Sequence, residues 1–119
     1  MKRDMELIRE ILLEMEKSEH PLKAEVFATK EKPKKIVAYN MELMEEAGLV
    51  KLMKQAGDND PYYFIQVQKI TWEGYDFLAN VRDDEVWKKV KLKIAQIAGD
   101  VSFSIIKNVA VQIVSQNLF

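Results

Sequence analysis

Residues 62–69, YYFIQVQK, alternate between the two faces of an extended strand, and the chain then turns almost at once into a helix. Tyr63, Ile65 and Val67 fall on one face, with Phe64, Gln66 and Gln68 on the other, the period-two pattern of a half-buried strand. Thr71 follows, with Gly74 three positions on, so a threonine N-cap opens a helix running to about Val81. Upstream, residues 49–55, LVKLMKQ, read as a second strand. The turn formers Ala56, Gly57, Asp58, Asn59, Asp60 and Pro61 join the two into a β-hairpin. A strand entering a helix through Thr-x-x-Gly is a frequent way of closing a wing beside a small helical core.

Helices are expected on both sides of the hairpin. Over residues 4–18, Met5, Ile8, Leu12 and Met15 form an apolar stripe widened by Ile11, with Asp4 as cap. Pro21 ends that pattern, because proline disfavours helical geometry in the residue before it. Residues 22–28, LKAEVFA, are open between a short strand and a helical turn. Pro33 is placed as a first helical residue, Ile36, Val37, Met41, Met44 and Ala47 continue the helix, and Gly48 supplies its left-handed stop. After the hairpin, Asp83 caps a helix with Val86, Val90, Ile94 and Ile97 on one side, ended by Gly99. A last helix over about 102–117 carries Ile106, Val109, Ala110, Ile113 and Val114.

The fold class is therefore α+β and mostly α: a winged-helix-like domain of helices plus a β-hairpin, with a helical C-terminal extension. Residues 1–82 form the expected core, and 83–119 an extension packed on the same single domain. A length of 119 residues suffices for one buried core. At 48% apolar and 31% charged, the composition is that of a globular protein and not of a disordered tail.

Net charge is −1, so no global field draws the chain to nucleic acid or to an anionic membrane, and any such binding needs a local patch. Absence of cysteine removes disulfides, thiolate metal sites and thiol nucleophiles. The opening MKRDMELIRE lacks the apolar stretch of a signal peptide, and no run approaches the ~20 apolar residues of a membrane span. A cytoplasmic protein without membrane attachment is the expectation.

Three stretches, MKRDMELIREILLEME, YNMELMEEAGLV and ITWEGYDFLANVRDDEVWKKVK, resemble the family known as domain of unknown function 2513, over about residues 1–95. The YjcQ-like proteins are similar more distantly. The resemblance implies a phage or prophage setting, a winged-helix-like fold and no established activity. Two positions depart from the family pattern: Tyr75 and Asn40 stand where histidine is frequent, so a titratable role there is not carried over.

Lys30, Lys32, Lys34 and Lys35 precede and open the helix that would face a DNA groove, where lysines neutralise phosphates, and Tyr39 lies one turn in, able to reach a base or sugar. The bland alternative is a solvated loop and helix start, diluted by Glu31. Against DNA stand Glu42, Glu45 and Glu46 further along the helix, and Asp58 and Asp60 at the wing tip, where a basic residue normally leads into the minor groove. Lys88, Lys89, Lys91 and Lys93 spread around their helix and read as a solvated surface. Asp83, Asp84 and Glu85 read as cap and dipole partners, not metal ligands, and His20 as a turn residue. Trp72, Tyr75 and Phe64 are expected to pack the later helices onto the hairpin, with a partner-binding patch as the sharper alternative.

No catalytic residues, cofactor or metal are expected. The leading reading is a non-enzymatic phage or prophage protein that binds double-stranded DNA in transcription regulation, through Lys30, Lys32, Lys34, Lys35 and Tyr39. A homodimer through the nearly uncharged C-terminal helix, whose sole charge is Lys107, would accompany it. The alternative is a module that binds or inhibits a host or phage protein.

Overall fold

In the computed structural model, residues 1–97, 99 and 101–117 are described. The chain divides into two compact units, Met1–Tyr75 and Asp76–Phe119. The first unit runs α1 (Met5–Lys17), β1 (Leu22–Lys23), a 3-10 turn (Ala24–Val26), α2 (Lys34–Glu46), β2 (Val50–Gly57) and β3 (Asp60–Ile70). Helix α3 (Trp72–Val81) crosses the division, and α4 (Asp84–Ala95) and α5 (Phe103–Asn117) belong to the second unit.

The three strands form one antiparallel sheet of order β1-β3-β2, so the hairpin carries a two-residue strand on the far edge of β3. That resolves residues 22–28: Leu22 and Lys23 pair with Val67 and Gln66, and the next three residues turn as 3-10. Helix α1 packs on α2 and β3 and buries Leu7, Ile8, Ile11, Leu12 and Met15, a stripe centred one residue off Met5, which is half-buried. Against it α2 buries Val37, Ala38, Asn40, Met41 and Met44. The sheet contributes Val50, Ile65, Val67 and Ile70. Asp4 caps α1 by accepting from Leu7 N at 3.1 Å, and Gly48 takes the left-handed stop after α2 at φ 80°. Pro33 stands one place earlier than its spacing predicts: it is the N-cap of α2, extended at ψ 167°, because the helix begins only at Lys34.

The hairpin is longer and its turn tighter than the sequence pattern predicts. Asp58 and Asn59 alone form the loop, Asn59 taking φ 60°, which asparagine tolerates better than most residues. Pro61 is therefore strand, on the β3 edge beyond the reach of β1. A register shift between Gln55 and Gly57 breaks the alternation of β3. Ile65 and Val67 are buried as expected, but Tyr63 is turned out to solvent, and Tyr62 reaches the α2 side in its place.

Thr71 ties the junction together. Its hydroxyl donates to Gly48 O and accepts from Gly74 N, while its own N–H donates to Leu49 O at 3.0 Å. Gly74 is obligatory, since a Cβ there would stand 2.0 Å from Leu49 O.

In the second unit α4 packs on α5, Asp83 caps α4 through Glu85 N and Val86 N, and the rings of Phe77 and Phe103 meet at 4.9 Å. Helix α4 stops at Ala95 with Gln96 as its C-cap, short of Gly99, and Ile97 is exposed and lies off the buried stripe. Trp87 takes a buried place beside Val86 and Val90. No helix among the described residues is long and apolar enough to cross a membrane.

Candidate nucleic-acid interface

The loop before α2 is self-closed. Thr29 N donates to Lys32 O at 2.9 Å, and Lys32 N donates to Thr29 Oγ1 at 3.0 Å. Lys30 projects from this loop and is exposed. Lys32 instead turns back onto α1, its ammonium 2.7 Å from Asp4 Oδ2. Burial opposes ionisation of Asp4, but the Lys32 ammonium and the Leu7 N–H outweigh it and hold the carboxyl below its ordinary value. The Asp4 carboxylate in turn raises Lys32.

Lys34 reaches across to the hairpin, donating to Tyr63 O at 3.1 Å and lying 3.5 Å from Glu25 Oε2. The Tyr63 carbonyl belongs to the stretch of β3 that β1 is too short to pair, so Lys34 satisfies part of an open strand edge. Lys35 is exposed. With Lys34 it lines a cleft of about 310 Å³ whose other wall is the wing tip, Asn59, Asp60, Pro61 and Tyr62. Tyr39, four residues after Lys35 and so on the same helix face, is half-buried. The five residues singled out in the sequence thus cluster at one end of α2, but Lys32 and Lys34 have partners within the chain.

The glutamates counted against DNA binding have another use. Tyr62 donates its hydroxyl proton to Glu42 Oε1 at 2.6 Å, and Lys54 donates to Glu42 Oε2 at 2.9 Å. Glu45 Oε2 accepts from Leu52 N at 2.9 Å. Both carboxylates therefore face the hairpin and clamp it to α2, and only Glu46 remains exposed. Burial opposes the charge on Glu42, but Tyr62 and Lys54 together lower its pKa from 4.5. The same bond, assisted by burial, pushes the Tyr62 phenol up to about 12.

At the wing tip Asp58 and Asp60 are exposed, and Asp60 Oδ1 accepts from Tyr62 N at 3.0 Å. Asp60 thus places a negative charge across the cleft from Lys34 and Lys35. Sequence reasoning gave no site role to Tyr62, to Asn59, read there only as a turn former, or to Asn40. Asn40 is fully buried; it accepts from Asp4 N at 2.7 Å and donates to Ile36 O at 3.0 Å and Lys2 O at 3.4 Å, holding the residues before α1 across α2. A polar residue on the apolar face of α2 was the available signal for it. Trp72, expected in the core, is 83% exposed, and Tyr75 is 47% exposed. Among the described residues no group of three or more His, Cys, Asp or Glu is arranged to hold a metal ion.

Sheet order β1-β3-β2, with α2 starting beside a two-stranded hairpin, defines the first unit as winged-helix-like. The chain belongs to the family described as "Hypothetical protein (DUF2513)", which matches residues 2–100. It is 32% identical over 121 residues to an uncharacterized protein of Haemophilus influenzae, the match covering 99% of each chain. No solved structure matches it.

Proposed function

We propose that the protein is a non-enzymatic, regulatory DNA-binding protein of phage or prophage type, touching the duplex backbone with the start of α2. One observation supports this reading: Glu42 and Glu45, further along α2, are turned onto the hairpin, so neither opposes Lys30, Lys34 and Lys35 at the start of the helix. Lys34 is held by exposed partners only loosely, and a phosphate competes well with such an ion pair. Lys32 is excluded from the contact set, because its ammonium is the partner of the Asp4 cap. Tyr39 stands behind the lysines and is left to a sugar or base edge.

Three phosphate contacts imply weak binding with a log K against log salt slope of about −2.7 on duplex DNA. Replacing Lys34 and Lys35 with alanine leaves Lys30 and should flatten that slope to about −0.9. An unchanged slope would refute the site, and no binding of the wild-type chain at low salt would refute the function.

A second reading is favoured by Trp72. A tryptophan 83% exposed, one helical turn from the half-exposed Tyr75, matches the aromatic anchors of protein interfaces. A stoichiometric protein partner lost on Trp72→Ala, with no DNA binding at low salt, would select it.

A further inference from the structure

The sheet has an outer face, opposite the one on which α1 and α2 pack. Ile65 and Val67 turn into the core, so Phe64, Gln66 and Gln68 point the other way. Strand pairing adds three lysines: Lys23 lies opposite Gln66, and Lys51 lies directly opposite Lys69. The next pair, Val50 and Ile70, is buried, so Lys51 and Lys69 stand on the outer face, where both are exposed. Residues 22–23, 51–55 and 64–69 include no acid. Neither Lys51 nor Lys69 has a side-chain partner among the described residues. Like charges directly opposite across two strands destabilise a sheet, and a bound anion between them relieves that repulsion. The acids at the rim do not supply it. Glu25 holds Lys34 at 3.5 Å, Asp60 accepts from Tyr62 N at 3.0 Å, and Glu19 lines a pocket with Lys69 without pairing to it.

We propose that this face binds single-stranded DNA, a phosphate seated between Lys51 and Lys69 and an unpaired base stacked on Phe64. A single strand presents phosphates and free base faces together. A duplex keeps its base faces in the stack, and an acidic peptide brings charge without a base to lay on the ring. The Lys23 ammonium now lies over Phe64, 5.5 Å from the ring centroid. Base stacking outweighs an exposed cation–π contact, so the base displaces Lys23 and leaves it to a second phosphate. Gln66 Nε2 donates to Gln68 Oε1, which leaves one amide oxygen and one amide N–H group for base edges. A second copy of the chain, face to face, sets lysines against lysines. DNA is favoured over RNA by continuity with the duplex contact proposed above, on which that choice rests. Lys34 bonds Tyr63 O, next to Phe64, so a strand leaving the start of α2 runs onto the sheet.

The test is fluorescence anisotropy on the full chain with a labelled oligothymidylate of about eight nucleotides, within the site size of a single-strand surface. Contacts from Lys23, Lys51 and Lys69 give an expected log K against log salt slope of about −2.1. Lys51→Gln with Lys69→Gln should flatten it to about −0.7. Phe64→Leu keeps an apolar side chain without the ring and should weaken binding roughly fivefold or more. Phe64→Tyr should retain binding, with thermal melts checking that both variants fold. Phe64→Leu should leave duplex binding unchanged, and Lys34→Ala with Lys35→Ala should leave oligothymidylate binding unchanged, so either contact can fail alone. No oligothymidylate binding at low salt, an affinity indifferent to Phe64→Leu, or polyglutamate competing as well as the oligonucleotide would overturn the proposal. Tighter binding of an oligouridylate of the same length would overturn the choice of DNA.

Discussion

Tyr62 and Glu42, twenty residues apart, meet at 2.6 Å through a phenol-to-carboxylate hydrogen bond that fixes the hairpin to α2. Glu42 holds Lys54 with its other oxygen, so one carboxylate gathers both strands of the wing. This clamp ties the wing to α2 beside the cleft that Lys35 lines. Tyr62→Phe removes a charge-assisted bond at a partly buried site and should cost about 1 kcal/mol, read as a lowered urea midpoint with unchanged slope.

The clamp also has a pH signature. Glu42 has a folded pKa below its ordinary 4.5, so its contribution is complete above that value and is lost as pH falls through the folded one. Tyr62 is raised from 10.0 to about 12, so its contribution is complete below pH 10.0 and is lost as pH rises towards 12. The stability difference between wild type and Glu42→Gln should therefore be flat around neutrality and shrink at both extremes. Urea unfolding across pH checks this, and a difference that grows below pH 4.5 would contradict it.

Asn40 bonds backbone groups 36 and 38 residues away while fully buried. Asn40→Ala leaves the Asp4 N–H without its partner and should cost about 2 kcal/mol, with faster hydrogen exchange at Asp4 as the local readout.

Two glycines separate steric from conformational demand. Gly74→Ala drives a Cβ to 2.0 Å from Leu49 O and 2.7 Å from Ile70 Cγ2, so the backbone must move and about 3 kcal/mol or more is lost. Gly99→Ala meets nothing within 4 Å and carries only the strain of φ +81°, about 1 kcal/mol. Thermal melts of the two variants should rank them in that order.

Trp72 and Trp87 should be distinguishable in fluorescence, being 83% and 3% exposed. Acrylamide should quench a red-shifted component that Trp72→Phe abolishes, leaving the blue emission of Trp87. Because Trp72 buries little, that substitution should change stability by no more than about 0.5 kcal/mol.

What could be read from the sequence was what local chemistry decides. Asp4, Thr71 and Asp83 each cap the helix predicted for them, because a cap bonds N–H groups two or three residues away. Gly48 marks its helix end for the same reason. The order of helices and hairpin followed from periodicity, and the winged-helix-like class followed from that order. Elements that depend on distant partners were not legible. Leu22 and Lys23 become strand because Val67 and Gln66 lie opposite them. Tyr62 and Tyr63 exchange faces because the bulge near Gln55 resets the register. Glu42 and Glu45 look like an obstacle to DNA in one dimension and prove to be hairpin ligands in three. The lysines of the candidate site were found by composition, but Asp4 and Glu25, which occupy two of them, come from other elements.

The wing tip tests the sign of the interface. Asp60 faces Lys34 and Lys35 across the cleft, so Asp58→Asn with Asp60→Asn should raise DNA affinity several-fold at low salt. Competition binding on one duplex checks it, and weaker binding would show that the acids serve the contact.

The most direct measurement is equilibrium binding to random duplex DNA and to the gene's own upstream region across a salt series, for wild type, Lys34→Ala with Lys35→Ala, and Lys32→Ala. The wild-type slope should be about −2.7, falling to about −0.9 in the double variant and unchanged in Lys32→Ala, whose ammonium is already paired with Asp4. Absence of binding at low salt, or a slope that survives in the double variant and collapses with Lys32→Ala, would contradict this interface.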